Sequence, residues 1–114
     1  MTDLNSAACR ATRATARQNQ ARVEVVRTET VQSLEERLHH TVDLLLCNPP
    51  YVATQTEETG GKGLTAAWAG GKEGLKVTRQ VIDSLEQLLS PRGVAYIVVE
   101  QCNKPATLSQ YVVG

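Results

Sequence analysis

Val42-Asp43-Leu44-Leu45-Leu46-Cys47 runs without a break into Asn48-Pro49-Pro50-Tyr51, and that junction limits the chain more than any other stretch. A short, nearly continuous apolar run is the pattern of a strand covered on both faces, as in a parallel sheet. Proline has no backbone N–H and cannot extend a ladder, so the chain must leave the sheet at Asn48. In an open parallel sheet, ligands bind outside the carboxyl ends of the strands, where this turn falls. The turn is rich in carbonyl acceptors and poor in donors, the Asn48 side chain adds another acceptor, and Tyr51 supplies a flat aromatic face. Such a site suits a planar group bearing an NH₂, either a carboxamide or the exocyclic amine of a base. Fixing both N–H bonds orients the nitrogen and partly withdraws it from resonance. The chemistry would rest on positioning and electrostatics rather than on a strong base.

The flanking segments alternate between helix and strand. Asn5 or Ser6 can cap an Ala- and Arg-rich helix reaching about Gln20. Residues 22–27, RVEVVR, alternate as a half-buried strand does. Residues 31–40, VQSLEERLHH, fit either a short helix or an irregular connection. From Gln55 to Gly74 six glycines and no strong period predict a long, functional loop. Leu75, Ile82, Leu85 and Leu89, widened by Val81 and Leu88, form an apolar helical stripe. Ser90-Pro91-Arg92-Gly93 should stop that helix before a second buried strand over 94–100, VAYIVVE. The class is therefore α/β with a mainly parallel sheet.

At 114 residues and 41% hydrophobic content, the chain has room for one modest core. Twelve basic residues balance twelve acidic ones, which argues against a polyanionic partner for the chain as a whole. The N-terminal segment departs from this, with Arg10, Arg13, Arg17, Arg22 and Arg27 against Asp3 and Glu24; spacings of three and four from Arg10 to Arg17 put those side chains on one helical face, which reads as a solvated face ahead of a nucleic-acid footprint. Cys9, Cys47 and Cys102 stand singly, and an odd number cannot close fully into disulfides, which fits a reducing compartment. Neither a membrane-length apolar stretch nor the apolar centre of a secretory signal occurs, so a soluble, intracellular chain is expected. His39-His40 lack companions at metal spacing and read as a solvated pair, with no metal site expected. Cys47, inside the apolar run, reads as an inert buried thiol rather than a nucleophile. Trp68 would cover the site or anchor the glycine-rich loop.

These residues carry a resemblance. NPPY after a buried strand is similar to the signature of Rossmann-like, S-adenosylmethionine-dependent methyltransferases acting on amide or base nitrogens. With TDLN at residues 2–5, NPPYVAT, GLTAAWAGGKEGLKV and LLSPRGVAYIVV, the chain resembles the HemK family, in the eukaryotic and archaeal branch of glutamine methyltransferases that modify class I translation termination factors. The resemblance runs through residues 2–100. It implies that Asn48 and the Pro49 carbonyl hold the substrate amide, with Pro50 fixing the turn and Tyr51 packing against it. It also implies that Asp3 binds the ribose of S-adenosylmethionine with Leu4 beside the adenine, Glu29 near the adenine amine, and Asn48 bordering the cofactor. Family members of this branch work with a small zinc-binding activator subunit paired along the third-strand edge, which RVEVVR would supply. The cytoplasm, with the nucleus as a second location, is the compartment implied.

By the same resemblance, the glycine-rich cofactor loop and its strand lie upstream of TDLN, and a last strand pair lies beyond Gly114. The expectation is therefore one partial Rossmann-like methyltransferase domain over 1–114, truncated at both ends and possessing the family function without necessarily retaining its activity. The alternatives are an N6-adenine nucleic-acid methyltransferase, against which the zero net charge counts; a protein lysine methyltransferase; and a non-catalytic fragment that binds an activator through its strand edge.

Overall fold

The computed structural model describes residues 1–49 and 75–113. Pro50, Tyr51, Trp68 and the loop expected over 55–74 lie outside the described residues. Strand β1 is Thr2–Asp3, helix α1 is Ser6–Gln18 and strand β2 is Val26–Arg27, followed by a 3-10 turn at Val31–Leu34. Strand β3 is Val42–Cys47, helix α2 is Lys76–Leu88, strand β4 is Leu89–Ile97 and helix α3 is Pro105–Val113. Both strand pairs are parallel, β1 with β2 and β3 with β4, so the α/β class with parallel pairing is borne out.

Helix α1 begins where a side-chain acceptor replaces the missing intrahelical carbonyls: the Asn5 side-chain oxygen accepts from the Ala7 and Ala8 amides at 2.8 and 3.1 Å. Such a cap contributes about 1 kcal/mol. The helix ends at Gln18, and Gln20, with φ of 53°, turns the chain back. Strand β2 is shorter than the alternation of residues 22–27 predicts. Its ladder partner explains why. β1 offers only Thr2 and Asp3, paired with Val26 and Arg27, and the preceding contacts are single bonds from Val26 N to the Met1 carbonyl and from the Met1 amine to the Glu24 carbonyl. A strand extends only as far as another backbone can pair with it.

Strand β3 occupies the expected residues, but both-face burial is corrected. The register sets Leu44 opposite Val94 and Leu46 opposite Tyr96. These side chains share the uncovered face, where Leu46 is 72% and Tyr96 64% exposed. The alternate face is covered: Ala95, Ile97 and Val99 line a cleft with Ile82 and Leu85 of α2 and Leu108 and Val112 of α3. Successive residues of a strand point to opposite sides, so an all-apolar run is compatible with covering either one face or both.

Ser90-Pro91-Arg92-Gly93 does not separate helix from strand, as was expected, but lies inside β4. Val42 pairs with Leu89 and Leu44 with Val94, so the four residues form an excursion within the ladder. Gly93 is required there by close approach: a Cβ would lie 2.6 Å from the Val42 carbonyl oxygen. At the same corner the Asp43 carboxylate accepts from Ser90 Oγ at 2.6 Å and from Arg92 Nε at 3.2 Å. Arg92 and then Ser90 hold its carboxyl below the usual carboxylate range.

The core gathers on α2. Leu75, Val81 and Leu88 are buried, with Cys9, Pro49 and Leu108 the other buried apolar residues among those described. Helix α2 also packs on the 31–41 segment, where Ser84 Oγ donates to Glu35 Oε1 at 2.5 Å and the His40 amide to the Gln87 carbonyl at 2.8 Å. That segment resolves into the 3-10 turn and further turns. Thr78 is buried and its hydroxyl is the one buried side-chain polar atom among the described residues without a partner. An orphaned buried hydroxyl costs about 1–3 kcal/mol, so Thr78→Val, which keeps the shape, is expected to raise the thermal midpoint of unfolding. A lowered midpoint in a thermal melt would count against that assignment.

Helix α3 adds cover not foreseen from the sequence. Pro105 opens it, where a missing N–H costs nothing. Tyr111 donates its hydroxyl to Asp83 Oδ1 on α2, and the Arg79 guanidinium lies 5.9 Å from the Tyr111 ring centre. The bond to Asp83 pushes the Tyr111 phenol above its ordinary value. A phenol whose pKa is raised on folding favours the folded state below its unfolded value near 10 and loses that contribution as pH climbs through the folded value. Ultraviolet titration should therefore show one tyrosine ionising late, and Asp83→Asn should bring it earlier. No change on that substitution would contradict the contact.

Candidate active site

The residues singled out by the sequence fall into two groups, each at the carboxyl end of a parallel strand pair. In the first, Asp3 closes β1 and Glu29 follows β2 by two residues. The Thr28 amide donates to the Asp3 carbonyl at 3.0 Å, which holds the two ends side by side. Asp3 is half-buried, and its Oδ1 accepts from the Asn5 amide at 2.8 Å. Asp3 therefore precedes the helix and orients its N-terminus, while Asn5 is the cap. No other hydrogen bond engages the Asp3 carboxylate among the described residues. The buried Cys9 thiol reaches the Asp3 carbonyl at 3.5 Å, fixing the backbone beneath it.

Leu4 is half-buried, and its carbonyl accepts from Arg27 Nε at 2.9 Å. Sequence reasoning gave Arg27 no such role. The contact spans 23 positions, so no local signal exists for it. Glu29 is exposed, a position from which a carboxylate reaches outward from the strand end.

In the second group Asn48 follows β3 and is exposed, whereas Pro49 is buried. The Val98 amide donates to the Cys47 carbonyl at 3.0 Å, so the ladder continues to the residue before Asn48 and then ends. Backbone pairing thus fixes where the Asn48 side chain starts, and the buried proline ring anchors the turn. The Cys47 thiol is half-buried, and burial pushes its pKa up, as fits an inert thiol. His39 and His40 are exposed and stacked, with ring centres 3.8 Å apart.

The chemistry of the first group fits a nucleoside. A carboxylate with an open oxygen at a strand end accepts both hydroxyls of a ribose diol, and the half-buried Leu4 offers apolar surface to a ring. The second group fits an amide N–H donor, since the Asn48 side-chain oxygen is an acceptor with no partner among the described residues. What the fold does not do, among those residues, is join the two groups in one sheet: β1–β2 and β3–β4 are separate two-stranded sheets. Among the described residues there is also no group of three or more His, Cys, Asp or Glu side chains fit to hold a metal ion, and no helix is long and apolar enough to cross a membrane.

Comparisons with known proteins bear on the family of the chain. The chain is 46% identical over 104 residues to mouse "Methyltransferase HEMK2", covering 91% of this chain and 49% of that protein. It is 44% identical over 104 residues to the human protein of the same name, with the same coverage. With the fission yeast "eRF1 methyltransferase catalytic subunit mtq2" it shares 37% identity over 113 residues, 91% of this chain and 48% of that one. The chain spans about half the length of the relatives it matches. These relatives bear out the HemK-like resemblance. The profile of the methyltransferase small domain matches residues 1–64, more than half of the chain, and the chain belongs to that family.

Proposed function

We propose that this chain carries the strand-end residues of an S-adenosylmethionine-dependent methyltransferase that modifies a glutamine side-chain amide of a translation termination factor. The observation that carries the reading is Asn48, exposed at the carboxyl end of a parallel strand and followed by Pro49-Pro50. The names of the relatives, a HEMK2 methyltransferase and an eRF1 methyltransferase catalytic subunit, support the reaction and the substrate. In this reading the two parallel pairs are the flanks of one Rossmann-like sheet. A termination-factor substrate puts the work in the cytoplasm.

S-adenosylmethionine would supply an electrophilic methyl carbon and, as the sulfur–methyl bond breaks, leave as the neutral thioether S-adenosylhomocysteine. Asp3 would accept from its ribose hydroxyls, Leu4 would pack on the adenine, and Glu29 would accept from the adenine amine. The Asn48 side-chain oxygen and the Pro49 carbonyl accept the two N–H bonds of the substrate amide. Tyr51 packs against that amide. Amide nitrogen is a poor nucleophile because its lone pair is delocalised into the carbonyl. Fixing both N–H directions turns that lone pair toward the incoming carbon, and the acceptors stabilise the positive charge that grows on nitrogen as the bond forms. The proton that nitrogen must lose passes to water, since the amide and carbonyl oxygens direct the N–H bond but are too weakly basic to take the proton.

The edge of β2, with residues 22–25 leading into it and Val23 exposed, suits strand addition by a small zinc-binding activator subunit. "Catalytic subunit" in the yeast relative's name supports a partnered enzyme. The test is tritiated methyl transfer from S-adenosylmethionine to a termination factor, with the modified residue located by mass spectrometry. Label on a glutamine amide supports the proposal. Label on lysine or on adenine in nucleic acid would replace it.

A further inference from the structure

Among the described residues β2 has a backbone partner on one side only. The Val26 and Thr28 amides donate to the Met1 and Asp3 carbonyls at 2.9 and 3.0 Å, and the Glu24 carbonyl accepts from the Met1 amine at 2.8 Å. Alternate residues of an extended chain turn their backbone groups to opposite sides, so those of Val23 and Val25 face away from β1. A side chain, not a strand, meets the Val25 carbonyl there: Arg13 Nη2 of α1 donates to it at 3.1 Å. The Val23 and Val25 amides and the Val23 carbonyl have no partner among the described residues.

Beside this edge runs a groove of about 400 Å³. Its walls are Ala11, Thr12, Thr15 and Ala16 of α1 with Ala21 and Val23 of the segment that returns to β2, and no ionisable side chain lines it. The return is closed by the Ala21 amide on the Ala16 carbonyl at 2.9 Å. Thr12 donates its hydroxyl to the Ala8 carbonyl at 2.9 Å and so makes no polar demand on an occupant. These wall residues are small, and the groove therefore receives a side chain. An apolar cavity of about 150 Å³ holds a benzene ring, so this groove has room for an aromatic or branched aliphatic group. Val23, 46% exposed, belongs both to the groove and to the unpaired edge. Glu24 lies on the other side of the strand, where it pairs with Arg37 at 2.9 Å, and puts no charge in the groove. In strand addition, main-chain bonds hold the added strand while pockets for its alternate side chains give selectivity.

We propose that the groove between α1 and Val23 is the socket for a large apolar side chain, aromatic or branched, on the strand that an activator subunit adds along residues 23–25. This rests on the activator reading of the β2 edge and adds the element that gives that edge its selectivity. A partner amide shares the Val25 carbonyl with Arg13, since a carbonyl has two lone pairs, and the partner side chain directed toward α1 enters the groove.

Surface plasmon resonance of the full chain over an immobilised, zinc-loaded activator subunit tests it. Thr15→Lys and Thr15→Glu place a long side chain of either charge in the groove, and both residues form helix better than threonine. Each should lower affinity at least about ten-fold, the scale of a lost interface anchor, with an unchanged circular dichroism spectrum. Ala14→Lys, at an exposed position of α1 outside the groove, should bind as the wild type does. No binding by the folded wild-type chain would overturn the activator reading and the socket with it. Wild-type binding that either Thr15 variant leaves intact, or an equal loss in Ala14→Lys, would overturn the socket alone. Loss of self-association in place of activator binding would assign the groove to a second copy of the chain and overturn it likewise.

Discussion

Asn48→Ala is expected to lower methyl transfer to a protein amide by about 10²–10³-fold, the usual loss when one preorganised hydrogen-bonding group is removed from a reacting centre. The size of the effect follows from how the residue is held. The ladder ends with the Val98 amide on the Cys47 carbonyl, and the buried Pro49 fixes the backbone on the other side, so the side chain stands on a rigid base. Alanine leaves that base in place and deletes the acceptor. A substrate amide then keeps one directed N–H bond instead of two and rotates about it. Asn48→Asp is a sharper comparison: it retains an acceptor but places a full negative charge beside an amide, and should recover only part of the loss. The measurement is the rate of tritium incorporation at saturating S-adenosylmethionine. Equal rates for the wild type and Asn48→Ala would remove Asn48 from the chemistry.

Leu88→Ala is expected to destabilise the fold by about 2–5 kcal/mol, the range for truncating a buried leucine. Leu88 is 2% exposed and is the last residue of α2, from which the chain passes directly into β4. The buried apolar set among the described residues is small: Cys9, Pro49, Leu75, Val81, Leu88 and Leu108. Against total stabilities of about 5–15 kcal/mol for folded domains, such a loss takes a large share of what holds α2 to the sheet. Urea denaturation followed by circular dichroism reads the shift in midpoint. Leu46→Ser is the contrasting change, because Leu46 is 72% exposed on the uncovered face, and it should leave the midpoint nearly unmoved. If the two variants shifted the midpoint equally, the assignment of covered and uncovered faces would be wrong.

Element types were legible in the sequence wherever a local signal and a tertiary partner agree. The Asn5 cap and the Ala-Arg run predict α1, and the stripe from Leu75 to Leu89 predicts α2. Legibility fails where the outcome depends on a distant backbone. RVEVVR alternates throughout, yet only Val26 and Arg27 find ladder partners. Ser90-Pro91-Arg92-Gly93 has the composition of a stop, but the pairing of Leu89 with Val42 draws it into β4. Leu44 and Leu46 are as apolar as the half-buried Leu45, and nothing in an alternating chain says which face another element will cover. Helix α3 was open to prediction, since Pro105 is an opening signal and Leu108, Tyr111 and Val112 recur at helical spacing.

For the site, the β1–β2 register sets Asp3 opposite Arg27 with Glu29 two residues further on, and Asn48 stands where the end of a parallel strand puts it. The bond from Arg27 to the Leu4 carbonyl was not legible, because a long side chain reaching across 23 positions leaves no periodic trace.

Isothermal titration of S-adenosylmethionine into the chain, co-expressed with a small zinc-binding activator subunit and compared with Asp3→Ala, tests the central claim most directly. The account predicts saturable one-to-one binding to the wild type and loss of at least about ten-fold in affinity in Asp3→Ala, equivalent to a charged hydrogen bond of about 1.5–3 kcal/mol. A folded complex that takes up no S-adenosylmethionine, or that takes it up equally well without the Asp3 carboxylate, would contradict it.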